Sequence, residues 1–128
     1  MPNITKVTDL QGKTEIGSVV YGTTTSSQGS VSNEQDFLHN ATTNQTFKLN
    51  TLMVANAGSS AVVVNVSFYD GSAATIFVDS LTIPGGSTLE VLASPIYVNN
   101  TEYITVGLET ASSTIRVLAS YELLQTTS

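Results

Sequence analysis

From Phe47 onward the chain alternates apolar and polar residues in short runs, and turn-forming residues interrupt them about every 8 to 12 positions. A period of two belongs to strands, whose successive side chains point to opposite faces. No stretch shows the 3.6-residue period of an amphipathic helix. Ala61 to Tyr69 is the clearest case: Val62, Val64, Val66 and Phe68 fall on one face, and Val63, Asn65, Ser67 and Tyr69 on the other. Asp70-Gly71-Ser72 follows, and an Asp-Gly pair accepts the positive φ of a tight hairpin, so the chain should return through Ala74 to Ile83.

Pro84-Gly85-Gly86 ends that return, because proline lacks the N–H a ladder needs. Leu89 to Leu92 and Ile96-Tyr97-Val98 read as short strands around the Ser94-Pro95 corner, and Asn99-Asn100-Thr101 turns the chain into Tyr103 to Glu109. In Thr114 to Leu123 the residues Ile115, Val117, Ala119, Tyr121 and Leu123 alternate with Arg116, Leu118, Ser120 and Glu122. Phe47 to Ala57 alternates only in part, with Phe47 and Leu49 followed by Leu52 and Val54, and closes on the turn formers Asn56 to Ser60. About seven strands without a crossover helix predict an all-β fold, an antiparallel β-sandwich of immunoglobulin-like or jelly-roll type. Its core should be Val62, Val64, Val66, Phe68, Ile104, Val106, Ile115, Val117 and Ala119.

Positions 1–46 differ. Val7 to Leu10 and Ile16 to Tyr21 could be short strands, but Gly22 to Asn33 is mostly Gly, Ser, Thr and Gln, the composition of a flexible linker. The expected organisation is an extended polar arm over 1–46, a sandwich over 47–124 that folds without the arm, and a short tail over 125–128. On this reading neighbouring subunits order the arm, by strand addition or hydrogen bonding.

Composition narrows the function. Only 11% of the 128 residues are charged, against roughly 25% in an average protein, and the net charge is −6. Four basic residues, Lys6, Lys13, Lys48 and Arg116, cannot neutralise a run of phosphates, which argues against nucleic-acid binding. No segment approaches the roughly 18 apolar residues of a membrane-spanning helix, and the start of the chain has no basic-then-apolar leader, so synthesis in a cytoplasm is expected. The chain has no cysteine, hence no disulfide, thiolate metal site or thiol nucleophile of its own. Five Asn-X-Ser/Thr sequons, at Asn3, Asn40, Asn44, Asn65 and Asn99, are what chance supplies in a chain rich in these residues.

Catalytic inventories come up short. His39 is the sole histidine, so no Ser-His-Asp triad can form, and a zinc or iron site normally wants two or more His or Cys ligands. Paired-carboxylate hydrolysis needs two acids about 5 to 10 Å apart in a cleft. Glu34 with Asp36, and Asp70 with Asp79, are the nearest approaches, and Asp70 has an ordinary role in its turn. Gly85-Gly86-Ser87-Thr88 lacks the lysine and following helix of a phosphate-binding loop. No cofactor is implied, and the chain reads as a non-enzyme. Candidate interface residues are Val7, Leu10, Ile16, Val19 and Tyr21 in the arm, with Tyr97 and Tyr103 on the sandwich, since aromatic residues are enriched at interface hot spots.

The segments Thr51 to Ala57, Val64 to Asp70, Leu81 to Leu92 (LTIPGGSTLEVL) and Ser94 to Val98 (SPIYV) together resemble small β-sandwich virion proteins of tailed bacteriophages of the cyanophage and marine-phage type. The resemblance covers roughly Thr51 to Leu124. It implies a virion structural protein present in many copies, most simply a capsid decoration (cement) protein whose arm lies across the major capsid protein. A neck, tail or fibre accessory protein, and a carbohydrate-binding adhesion module, are the alternatives; the absence of tryptophan counts against the last.

Overall fold

A computed structural model describes residues 9–22 and 33–125. They form nine strands: β1 (Asp9–Val19), β2 (Glu34–Phe37), β3 (Gln45–Asn56), β4 (Val62–Tyr69), β5 (Ala74–Ile83), β6 (Thr88–Glu90), β7 (Ile96–Val98), β8 (Tyr103–Leu108) and β9 (Ile115–Gln125). One sheet, here called A, has the order β1-β9-β3-β6, with β7 pairing β3 further along; the other, B, has the order β2-β8-β4-β5. Every pair is antiparallel. The pairs are nested: β4 turns back on β5, β3 pairs β6 and β7, β2 pairs β8, and β1 pairs β9. A chain doubled back on itself and then rolled into two sheets gives this order, so of the two topologies open to the sequence the molecule adopts the jelly roll.

The core lies where the two inner faces meet. Leu49, Leu52 and Val54 of β3 and Ile115, Val117 and Ala119 of β9 face Val62, Val64 and Val66 of β4 and Ile104, Val106 and Leu108 of β8, all buried. Eight of the nine expected core residues are therefore in place. Phe68 is the exception: it is half-buried and packs at the margin of the core, because β4 runs out toward an open side of the sandwich there. The three-residue step from Leu49 to Leu52 also has a cause. The β3–β9 register shifts between Leu49 and Thr51, a bulge that absorbs Asn50 and returns Leu52 to the inner face.

The expected hairpin forms at Asp70, whose Oδ1 accepts from the N–H groups of Ser72 and Ala73 at 2.9 Å while Gly71 takes φ +98°. Two asparagines hold the ends of β3. Asn40 Nδ2 donates to the carbonyls of Gln45 and Val98, and Asn56 Nδ2 donates to those of Ser60 and Ile83. Each is 1% exposed, and each side-chain oxygen accepts an N–H two residues on, from Thr42 and Gly58.

The separate arm is not what the chain builds. Asp9–Val19 pairs with β9 along its whole length, from Asp9 opposite Gln125 to Val19 opposite Ile115, and Glu34–Phe37 pairs with β8. Val19, Phe37 and Leu38 are buried in the common core. The sandwich thus spans 9–125 rather than 47–124. The physical reason is that β9 and β8 would otherwise each leave a row of unpaired N–H and C=O groups, which β1 and β2 satisfy. The two short strands expected within 7–21 are one, and most of the linker-like stretch, 23–32, lies outside the described residues.

Candidate assembly surfaces

β1 is the edge strand of sheet A, and β2 lies beneath it as an edge of sheet B. Its odd-numbered residues point inward: Val19 and Gly17 sit opposite Ile115 and Val117. A Cβ at Gly17 would lie 2.8 Å from the Phe37 ring, so glycine here lets the two sheets close. Its even-numbered residues point outward, which leaves Leu10 59% and Ile16 71% exposed. Ile16 sits opposite Leu118, which sits opposite Met53, and these three form an apolar strip across the outer face of sheet A, in a hollow of about 210 Å³ that Arg116 also lines.

On the opposite side of the sandwich, β5 is the free edge of sheet B and β7 lies above it in sheet A. Between them Phe68, Phe77, Ile96 and Tyr97 line an almost wholly apolar cleft of about 390 Å³. Ile76, Phe77 and Tyr97 are among the most exposed large apolar side chains of the described residues. β5 pairs β4 with two register shifts, around Val66, and these bend its edge.

The candidate interface residues therefore separate. Leu10, Ile16 and Tyr21 are exposed along β1 and just beyond it, and Tyr97 is exposed on the cleft. Val7 lies outside the described residues. Val19 and Tyr103 are buried, at 1% and 2% exposure, so their side chains do not lie on the exposed surface of the chain. Val19 belongs to the inward face of β1. The Tyr103 ring stacks on Tyr69 at 4.6 Å between centroids, and His39 meets it edge-on at 5.0 Å. Sequence reasoning passed over Ile76 and Phe77. Their signal was Ile76-Phe77-Val78, three large apolar residues in a row where a half-wet strand should alternate.

Among the described residues no three His, Asp or Glu side chains gather as a metal site would require. Glu34 and Asp36 do share the outer face of β2, where burial, and secondarily the Asp36 charge, push the Glu34 carboxyl above its ordinary value. Glu34 packs against Gly107, and its Oε2 is buried without a hydrogen bond. Asp70 is held low by the backbone N–H groups of its own turn. Asp79 hydrogen-bonds Ser80 and does not face Asp70.

No protein-family profile matches the chain, and no curated protein is similar to it in sequence. Among solved structures it is similar to a subunit of the Bacillus endospore appendages, described as a novel family of disulfide-linked pili, with a TM-score of 0.51 and 10% identity, over 100% of this chain and 96% of that one. At that identity the likeness is one of fold.

Proposed function

We propose that this chain is a non-enzymatic structural subunit that polymerises with copies of itself. The observation that carries the reading is the pair of exposed apolar surfaces on opposite sides of one sandwich: the β1 edge with Ile16, Met53 and Leu118, and the cleft of Phe68, Phe77, Ile96 and Tyr97. One such surface makes a dimer; two that do not overlap are what an extended assembly needs. Exposed edges and apolar patches are features that monomeric proteins suppress. The likeness to a pilus subunit over the whole chain supports the same reading. Those pili are disulfide-linked, whereas this chain has no cysteine, so its own contacts would be non-covalent.

Decoration of a capsid by an N-terminal arm is the weaker reading, because the residues assigned to the arm include two strands of the sandwich. A virion location rests on the sequence resemblance alone. The test is electron microscopy and sedimentation of the purified chain at rising concentration. Filaments or long oligomers are expected, and Ile16→Lys or Phe77→Lys should each stop growth at small oligomers. A chain that stays monomeric at every concentration overturns the proposal.

A further inference from the structure

How β1 meets a neighbouring copy is written in the strand's own sequence. β1 runs for eleven residues without proline and without a register shift against β9, and among the described residues no strand pairs with its other edge. The strand is long, straight in register and free of proline, and the charges near its middle are Lys13 and Glu15. β5 has its bulges, and β2, β6 and β7 have only three or four residues each, so among the described residues β1 is the long regular edge.

We infer that two copies of this chain pair antiparallel through their β1 strands about a two-fold axis at Thr14, joining their A sheets into one. Such a contact is self-complementary: residue i of one copy faces residue 28 − i of the other, counting from the central Thr14. Three features of the strand meet their counterparts in this register. Lys13 faces Glu15 of the second copy and Glu15 faces its Lys13, two opposite-charge pairs flanking the axis. Among the described residues neither makes an ion pair, the one pair there being Lys48 with Glu122 at 3.9 Å. Glu15 is already positioned, its Oε2 accepting from the Leu38 N–H at 3.1 Å. On the outer face, Ile16 faces Gly12 of the second copy. Ile16 is the most exposed large apolar residue among those described, and a Cβ at Gly12 would meet nothing within 4 Å, so the isoleucine side chain gains an open floor to cover. Leu10 faces Ser18 in the same way.

The neighbouring symmetric registers are disfavoured by the same charges. Centring the pair on Lys13 sets lysine against lysine, and centring it on Glu15 sets glutamate against glutamate. The alternation of faces excludes the half-steps between them, because directly opposed residues of one continuous sheet must share a side.

The inference rests on the self-assembly proposal, and the absence of cysteine makes it directly testable. Thr14 is exposed and would lie opposite itself, with Cα atoms about 4.5–5.5 Å apart, inside the range a disulfide spans. Under mild oxidation Thr14→Cys should form a covalent dimer in high yield. Ser18→Cys should not, unless it is mixed with Leu10→Cys, when the mixed dimer should appear. Sedimentation equilibrium supplies an independent readout. Lys13→Glu and Glu15→Lys should each weaken the dimer about tenfold or more, and the double exchange Lys13→Glu/Glu15→Lys should restore it, with thermal melts confirming that each variant is folded. If Thr14→Cys stays monomeric, or the double exchange is as weak as the single ones while the wild-type chain still forms polymers, the two-fold pairing is wrong and self-assembly stands. If the wild-type chain never associates, both fall.

Discussion

Asn56 shows how much of this fold hangs on single polar side chains. Its amide donates to the carbonyls of Ser60, in the β3–β4 loop, and Ile83, at the end of β5, and its oxygen accepts from the Gly58 N–H at 3.0 Å and the Thr114 hydroxyl at 2.8 Å, all with the residue 1% exposed. Removing it strands several buried groups at once. Asn56→Ala should cost about 2–4 kcal/mol in chemical denaturation, whereas Asn65→Ala, which loses an exposed contact to the Ser80 N–H, should cost under about 1 kcal/mol. In the sequence Asn56 is one turn former among several, and nothing local marks it as buried. Tyr103 was misjudged for a related reason: alternation places it on the wet side of β8, but Tyr69 and His39 cover that side. Glu34 carries a pH dependence whose sign follows from its environment. Its carboxyl is raised in the folded state, so folding penalises the charged form; that penalty is full above the folded pKa and disappears as the pH falls below the unfolded value. Glu34→Gln should therefore raise the melting temperature near neutral pH, and the gain should shrink toward zero as the pH is lowered through the carboxylate range.

The strands differ in how plainly the sequence announces them. β4, β5, β8 and β9 could be read from alternation and turn chemistry, and even the bulge in β3 left a trace in the Leu49-to-Leu52 spacing. β1 and β2 could not. An edge strand buries one face at most, and β1 uses Gly17 and Glu15 inward where a core strand would use branched apolar residues. β2 is four residues long and mostly polar. Their existence depends on β9 and β8, far away in the chain, and no local pattern encodes that. The same contrast should appear in dynamics. β8 is buried on both faces and paired on both edges, while β5 is exposed along most of its length and irregularly paired. Native-state hydrogen exchange should find the amides of β8 and the centre of β3 among the slowest, opening only with global unfolding, and those of the outer edge of β5 exchanging orders of magnitude faster. Protection of β5 rising to match β8 only in assembled samples would locate a contact on that edge.

At the scale of the molecule, a chain beginning at Thr46 should not fold. It would lack Val19, Phe37 and Leu38, each worth roughly 1.5–3 kcal/mol of burial, a sum that rivals the 5–15 kcal/mol holding a typical domain together. Circular dichroism of that fragment should show no cooperative unfolding transition. The nested order also governs how the sandwich forms. Only the β4–β5 pair is local, every outer pair closes a longer loop, and refolding should take milliseconds to seconds, as it does for β-sandwiches of high contact order. Topology was the part least accessible to sequence reasoning, because alternation tells which face of a strand is dry but not which strand lies beside it. The outermost pair has a practical consequence. Asp9 faces Gln125 across one ladder spacing, so the two ends of the sandwich emerge at one corner, and a few glycine and serine residues would bridge them. The exposed turn at Asp70-Gly71 could then be opened to supply new ends. Such a circularly permuted chain should keep the same sheets and melt cooperatively, with the bridged β9–β1 pair replacing β4–β5 as its local hairpin, and its new ends would stay at the same end of the sandwich, because Gly71 sits against Thr101 and the neighbouring Asn99 meets Thr46 beside Gln125.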